Sequence, residues 1–300
     1  MRMEFDPMIK LLLAALAASL PLNAAAITVA DDDGLPVTLA KPAQRVIAMA
    51  PHVTELLFTA GGGDKIVGVV TYSDYPEAAK RIASIGTNRQ VDLERVIAMK
   101  PDLIVVWMHG SSERQIEQIR ALGIPMFHSE PRKLDDIASS LNRLGKLLGT
   151  EAVADAAAAD LRQKLAALAA RYGKRPPVRM FYQVWDKPLY TLSGSHIVSD
   201  AIRLCGGENI FADMKITAPV VSTESVLQLD PEAIFDTAER SAGGGGVDVW
   251  KPYTTMTAVK RGNLFKLDGN LTNRAGPRMV AGTAALCEKL ELARQHRKAP

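Results

Sequence analysis

The residues of this chain best suited to metal or nucleophilic chemistry are five histidines and two cysteines, so their spacing is the first test. His52, His109, His128, His196 and His296 stand far apart and make neither an H-E-x-x-H pair nor any other short ligand spacing. Neither Cys205 nor Cys287 has a Cys or His at zinc-ligand distance in the sequence. There is no G-x-S-x-G elbow and no G-x-x-x-x-G-K-[ST] phosphate loop. The glycine run Gly243–Gly246 does not stand between a strand and a helix, as a dinucleotide loop must, and reads as a surface loop. The linear pattern predicts no catalytic residues, no metal and no cofactor, and tilts the reading towards binding.

Aromatic residues make up only 5% of the chain, so their placement carries information. Tyr72 in TYSDYP, Trp107 at the end of DLIVVW, Trp185 at the end of FYQVW and Tyr190 in DKPLYTLSG all fall at or just past apolar strand-like runs. Each one alone is equally suited to packing under its own loop. Four at comparable edges point to a flat, partly apolar ligand. Arg274 in LTNRAGPR adds a charge near the last strand, with a surface salt bridge as its competing role. Trp250 is assigned to packing.

These positions need elements to hold them. RVIAMA, IVGVVTY, DLIVVW and IPMFHS read as short buried strands. Between them stand helical stretches: PHVTELLFTAGGG, with Thr54 as a cap, VDLERVIAMK, capped by Asp92 and stopped by Pro101, SERQIEQIRALG and LDDIASSLNRLGKLLG. Such alternation with short connections means a parallel sheet covered by helices. Thr150–Gly173 is rich in strong helix formers and would make one helix of about 33 Å. After Pro176 and Pro177 the alternation restarts, through VRMFYQVW, SHIVSDAIRLCGG, VSTESVLQLD, AIFDTA, NLFKLDG and a last helix. The chain is therefore α/β. It has two Rossmann-like lobes with parallel sheets (45–149 and 177–294), joined by one long α-helix (150–173), with a ligand cleft between the lobes. Residues 27–44 read as an extended lead-in and 295–300 as a polar tail. A single rigid connector predicts little closure on ligand binding.

The N-terminus carries a compartment signal. Arg2 and Lys10 precede an apolar run from Leu11 to Leu20, and Ala24–Ala26 follow, the form of a secretory signal peptide with cleavage near Ala26. Met1 and Met8 both remain as starts. The apolar run is short for a membrane span. A net charge of +3, with dispersed basic residues, excludes a nucleic-acid binder. In an exported chain an even cysteine count favours a disulfide over two free thiols.

Finally, the chain repeats itself. VDLERVIAMKPDLIVV (91–106) returns as VSTESVLQLDPEAIFD (221–236), placing Glu94 on Glu224 and Pro101 on Pro231. Together with RVIAMAPHVTELLFTAGG, VVTYSDYP, LCGGENIF and RAGPR, these segments resemble the periplasmic substrate-binding proteins of ABC importers for cobalamin, ferric siderophores and haem, the cobalamin binders most. The resemblance implies capture of cobalamin by a periplasmic monomer that delivers it to the dimeric ABC permease of the inner membrane. It implies ligand contacts from Tyr72, Trp107, Tyr190, Asn270 and Arg274, with Trp185 standing in for one of two family tryptophans that are here Asn88 and Ala218. It implies permease docking by Glu94 and Glu224, although a first-turn glutamate also stabilises its own helix through the dipole. It further implies a Cys205–Cys287 disulfide. Haem or a ferric siderophore is the alternative ligand, with Tyr72, His52 and Tyr190 available as axial ligands to haem. An exported metal-cluster enzyme is the remote alternative, and the chain lacks the clustered Cys and His that it needs.

Overall fold

Short strands with every side chain buried need cover on both faces, and the fold supplies it twice. The computed structural model describes residues 26–237 and 245–297. The signal segment, apart from its last residue, lies outside these, as do the first part of the glycine run and the last three residues of the tail. The first sheet has the order Ile66–Val69, Val46–Ala48, Leu103–Val106, Met126–His128, all parallel. The second has the order Gly207–Asn209, Val178–Gln183, Ala233–Asp236, Leu264–Lys266, also all parallel. Leu103–Val106 and Ala233–Asp236 are buried at every position, as two-sided cover requires.

The sequence repeat is a structural repeat. Helices begin at Leu93 and Thr223 and strands at Leu103 and Ala233, the same offset in each case. Asp92 and Ser222 cap the two helices, accepting from the N–H of Arg95 at 3.0 Å and of Ser225 at 3.1 Å. Val96 and Val226 are the buried residues of the two helices. Both helices end in a left-handed residue before proline, Lys100 (φ 46) and Asp230 (φ 40). Glu94 and Glu224 are exposed in the first turns.

One helix of 22 residues, Glu151–Tyr172, joins the lobes. Its buried residues are Ala154, Ala158, Leu161, Leu165 and Tyr172, a single stripe at helical spacing. The stripe faces Leu134–Leu148, and Gly145 permits the approach, since a Cβ there would lie 2.4 Å from that of Ala154. Met279–His296 packs on the connecting helix, on strand Val178–Gln183 and on helix Ile197–Leu204. Cys205, just past that last helix, is disulfide-bonded to Cys287.

Two local expectations are corrected. The lead-in is a hairpin, with Ile27–Ala30 antiparallel to Pro36–Leu39, because Val29, Val37 and Leu39 alternate onto the core. Thr54 is not a cap. The helix begins at Pro51, whose missing N–H costs nothing in the first turn, and the buried Thr54 hydroxyl donates back to Ala50 O. Trp250 is a packing residue as read: 1% exposed, it rests edge-on against Phe181 and donates its indole N–H to Gln183 Oε1 at 2.7 Å.

The lobes also meet in a charged clasp. Glu55, in the first lobe and 2% exposed, takes a two-pronged contact from Arg278, Nε to Oε2 at 2.9 Å and Nη2 to Oε1 at 2.6 Å. Arg274 Nη1 reaches Asp74 Oδ1 at 2.7 Å and Glu55 Oε1 at 3.4 Å. The Arg278 guanidinium also lies 4.1 Å over the Tyr75 ring. Removing the buried carboxylate takes away the ion-pair partner of Arg278, while Arg274 keeps Asp74. Glu55→Ala is expected to lose about 2–4 kcal/mol, below the full cost of a broken buried pair because both arginines keep some solvent. Urea unfolding checks this, and a loss under about 1 kcal/mol would mean that the clasp contributes little.

Candidate functional site

In both sheets the strands run with their carboxyl ends towards the other lobe, and the segments that leave them line a cleft of about 650 Å³. From the first lobe come His52, beyond strand Val46–Ala48, Trp107 and His109, beyond Leu103–Val106, and Glu130, beyond Met126–His128. From the second come Val184, beyond Val178–Gln183, then Leu192 and His196 ahead of helix Ile197–Leu204, and Thr217, Ala218 and Arg274 from longer loops. The wall is mainly apolar with a few convergent polar groups, the usual make-up of a small-molecule site.

Trp107 anchors the first-lobe wall. Its ring meets His52 edge-on, with centroids 5.6 Å apart and planes at 86°. Gly110 has to be glycine, since a Cβ there would come within 2.0 Å of the Trp107 ring. His52 is buried, its Nε2 makes no hydrogen bond among the described residues, and burial lowers its pKa to about 4. Glu130 behaves oppositely. Burial alone would raise its pKa, but His128, His109 and the Trp107 indole hold it at about 2. His128 is pushed upward despite burial, by Glu130 and Asp33.

Of the residues expected to contact ligand, the fold brings Trp107 and Arg274 into the cleft wall. Arg274 is also engaged by Asp74 and Glu55, so the salt-bridge role and the cleft position coincide. Tyr72 is 76% exposed, in a left-handed conformation (φ 68), and lies outside the lining. Trp185 and Tyr190 pair with each other across a two-stranded hairpin, and Trp185 donates its indole N–H to Lys187 O. Neither lines the cleft, although Val184 beside Trp185 does. Asn270, in the short helix Gly269–Thr272, is outside the lining as well, while Asn273 from the same loop is inside. Ala218 lines the wall, and its small side chain leaves the wall open at that point.

The residues missed were His109, Glu130 and His196. Their signal was the one that picked out the aromatics, namely position beyond a strand end. Short linear spacing, the usual mark of metal ligands in a sequence, does not single them out.

A chain of this architecture can be compared with known proteins. A family model for periplasmic binding proteins matches residues 46–271. The chain belongs to the periplasmic binding protein family. The vitamin B12-binding protein of Vibrio cholerae serotype O1 is 36% identical over 263 residues, 87% of this chain and 94% of that one. The crystal structure of the periplasmic vitamin B12 binding protein BtuF of Vibrio cholerae superimposes with a TM-score of 0.78 at 36% identity, covering 84% of this chain and 98% of that one. A periplasmic heme binding protein from Pseudomonas aeruginosa superimposes with a TM-score of 0.70 at 27% identity, covering 86% and 94%. Members of this family are substrate-binding proteins and not enzymes, which accords with the absence of a catalytic motif in the sequence.

His196 gives the cleft a pH response. Its Nδ1 accepts from the N–H of Val198 at 3.2 Å and so caps its helix, which only the imidazole with an unprotonated Nδ1 can do. Burial lowers its pKa to about 4 from an ordinary 6.5. As pH falls from 6.5 towards 4, the unfolded chain takes up the proton and the folded one does not, so stability falls over that window and levels off below it. The contribution is about 1–2 kcal/mol between pH 7 and 5, allowing for water in the cleft. His196→Asn retains a capping acceptor and is expected to flatten the dependence by that amount in urea unfolding at the two pH values. An unchanged slope would count against the assignment.

Proposed function

We propose that this protein is a monomeric periplasmic carrier that captures cobalamin between its lobes and delivers it to an ABC importer permease. One observation carries the reading. A two-lobed, mainly apolar cleft occurs in a chain that matches vitamin B12-binding proteins along nearly their whole length. Binding needs no bond making. The corrinoid would lie against Trp107, with its amide rim near the polar groups of Arg274 and Thr217 and its bulk in the space that Ala218 leaves. Tyr72 and Tyr190, on exposed segments, would contact the parts of a large ligand that project from the cleft, as would Trp185 and Asn270. The N-terminal segment would direct export and be removed near Ala26.

Haem is the second reading, favoured by the imidazoles of His52, His109 and His196 in the cleft wall, since imidazole is a common axial ligand of haem iron. Tryptophan fluorescence of the mature protein titrated with cyanocobalamin, with hemin in parallel, separates the two. Saturable one-to-one binding of cobalamin at submicromolar strength, below about −8 kcal/mol, is expected, and Trp107→Ala should weaken it at least roughly tenfold. Binding of hemin alone would replace cobalamin with haem as the ligand.

Glu94 and Glu224 would dock the loaded carrier on the two halves of the permease. They stand at matching exposed positions of the two lobes, and the capping is already done by Asp92 and Ser222. Its own backbone N–H and the Ser222 hydroxyl hold the Glu224 pKa below its ordinary value, so it is charged at neutral pH. The double variant Glu94→Arg and Glu224→Arg is expected to bind ligand normally and to lose uptake in cells that depend on this carrier. Uptake at the wild-type rate would leave only the dipole role for the two glutamates.

A further inference from the structure

We propose that His109, His128 and Glu130 form a binding site for a divalent transition-metal ion of the zinc class, with a remaining coordination position open to the cleft. The three donors come from the ends of two adjacent paired strands, Leu103–Val106 and Met126–His128, where Val106 stands opposite His128. One ligand atom from each lies within 4.8 Å of the others. His109 Nδ1 is 2.8 Å from Glu130 Oε2, and His128 Nε2 is 3.7 Å from the same oxygen. Ligand atoms about 2.0–2.1 Å from a tetrahedral zinc ion stand roughly 3.3 Å apart, so these separations bracket what an ion needs. His109 is the exposed member, with 66% of its side chain accessible, and can make the small adjustment.

His128 is also backed by a carboxylate. His128 is 2% exposed, and among the described residues neither of its ring nitrogens makes a hydrogen bond of good geometry. One of them, Nδ1, lies 2.7 Å from Asp33 Oδ2. A carboxylate behind an imidazole whose far nitrogen is aimed at a ligand position is the arrangement that orients histidines at metal centres. The same turn fixes the backbone of the site. Asp32 N–H donates to His128 O at 3.0 Å, and the N–H of Glu130 donates to the Asp32 carboxylate. The acidic run Asp31–Asp33, at the tip of the lead-in hairpin, thereby acquires a role that packing does not explain. Two imidazoles and one carboxylate suit zinc, cobalt, nickel or copper over magnesium or calcium. His109 and Glu130 both line the cleft, so the unfilled position faces the space for the ligand, where a donor atom of a bound molecule would complete the shell.

The test uses the mature chain, free of any affinity tag, at neutral pH. Calorimetric titration with ZnCl2 alone is expected to give one ion per chain at a Kd on the order of micromolar or tighter. His109→Ala and Glu130→Gln should each weaken binding at least about tenfold, and Asp33→Asn by about tenfold through loss of orientation. Circular dichroism of each variant checks that the fold is retained. CoCl2 in place of zinc should give visible d–d bands that shift when azide is added, because azide enters the open position. No saturable binding, or His109→Ala and Glu130→Gln proteins that are folded and bind zinc as the parent does, would overturn the site. Cobalt bands that azide leaves unmoved would overturn the open position. None of these outcomes depends on which molecule the cleft carries.

Discussion

The buried carboxylate of Glu55 is the point on which the two halves of the molecule agree. It sits inside the helix that leaves the first strand of the first sheet, and its partners, Arg274 and Arg278, belong to the loop and helix that follow the last strand of the second. A buried carboxylate without its cations would be costly to keep charged. The lobes are therefore held at the one separation that satisfies all four charged groups, Asp74 included. That separation sets the width of the cleft, since Arg274 is a clasp residue and a wall residue at once. The connecting helix adds a second restraint on the far side, through a stripe that is apolar and packed along much of its length. Two restraints of different chemistry make a frame with little freedom to hinge.

Within that frame the wall is supplied almost entirely by strand ends. A parallel strand buried on both faces has no side chain to spare for a ligand, so recognition falls to the residues just beyond its carboxyl end. On the first lobe these include a tryptophan, two histidines and a glutamate in mutual contact. The result is unlike a plain apolar slot. Glu130 carries a firmly held negative charge, His52 is kept neutral by burial, and the indole of Trp107 touches both. The second lobe answers with small and aliphatic residues, the helix-capping His196 and the polar side chains of Thr217, Asn273 and Arg274.

Much of the fold could be read from the residues alone, and for identifiable reasons. Continuous apolar runs such as LIVV and AIFD cannot be half-exposed strands, so a two-sided sheet follows. Asp92 and Ser222 are capping residues directly before apolar-periodic stretches, and both cap. The lead-in hairpin was harder, because Val29, Val37 and Leu39 alternate over too few residues to stand out beside an acidic turn. Thr54 misled because it is a good capping residue placed one turn late. The proline three residues earlier was the better start signal.

For the site, the division falls along sequence distance. The sequence by itself determined the α/β class, the two lobes, the repeated helix and strand, the connecting helix and the placing of Trp107 at a cleft edge. These depend on periodicity and on local start and stop signals, which act over a few residues. Only the tertiary structure decided that Tyr72, Trp185, Tyr190 and Asn270 stand outside the lining, and that Arg274 is shared with Glu55 and Asp74. It also decided that His109 and His128, which show no ligand spacing in the chain, converge on one oxygen of Glu130. Pairing of parallel strands brings together residues separated by a whole helix and its loops, and nothing in the linear spacing records which strand ends will become neighbours.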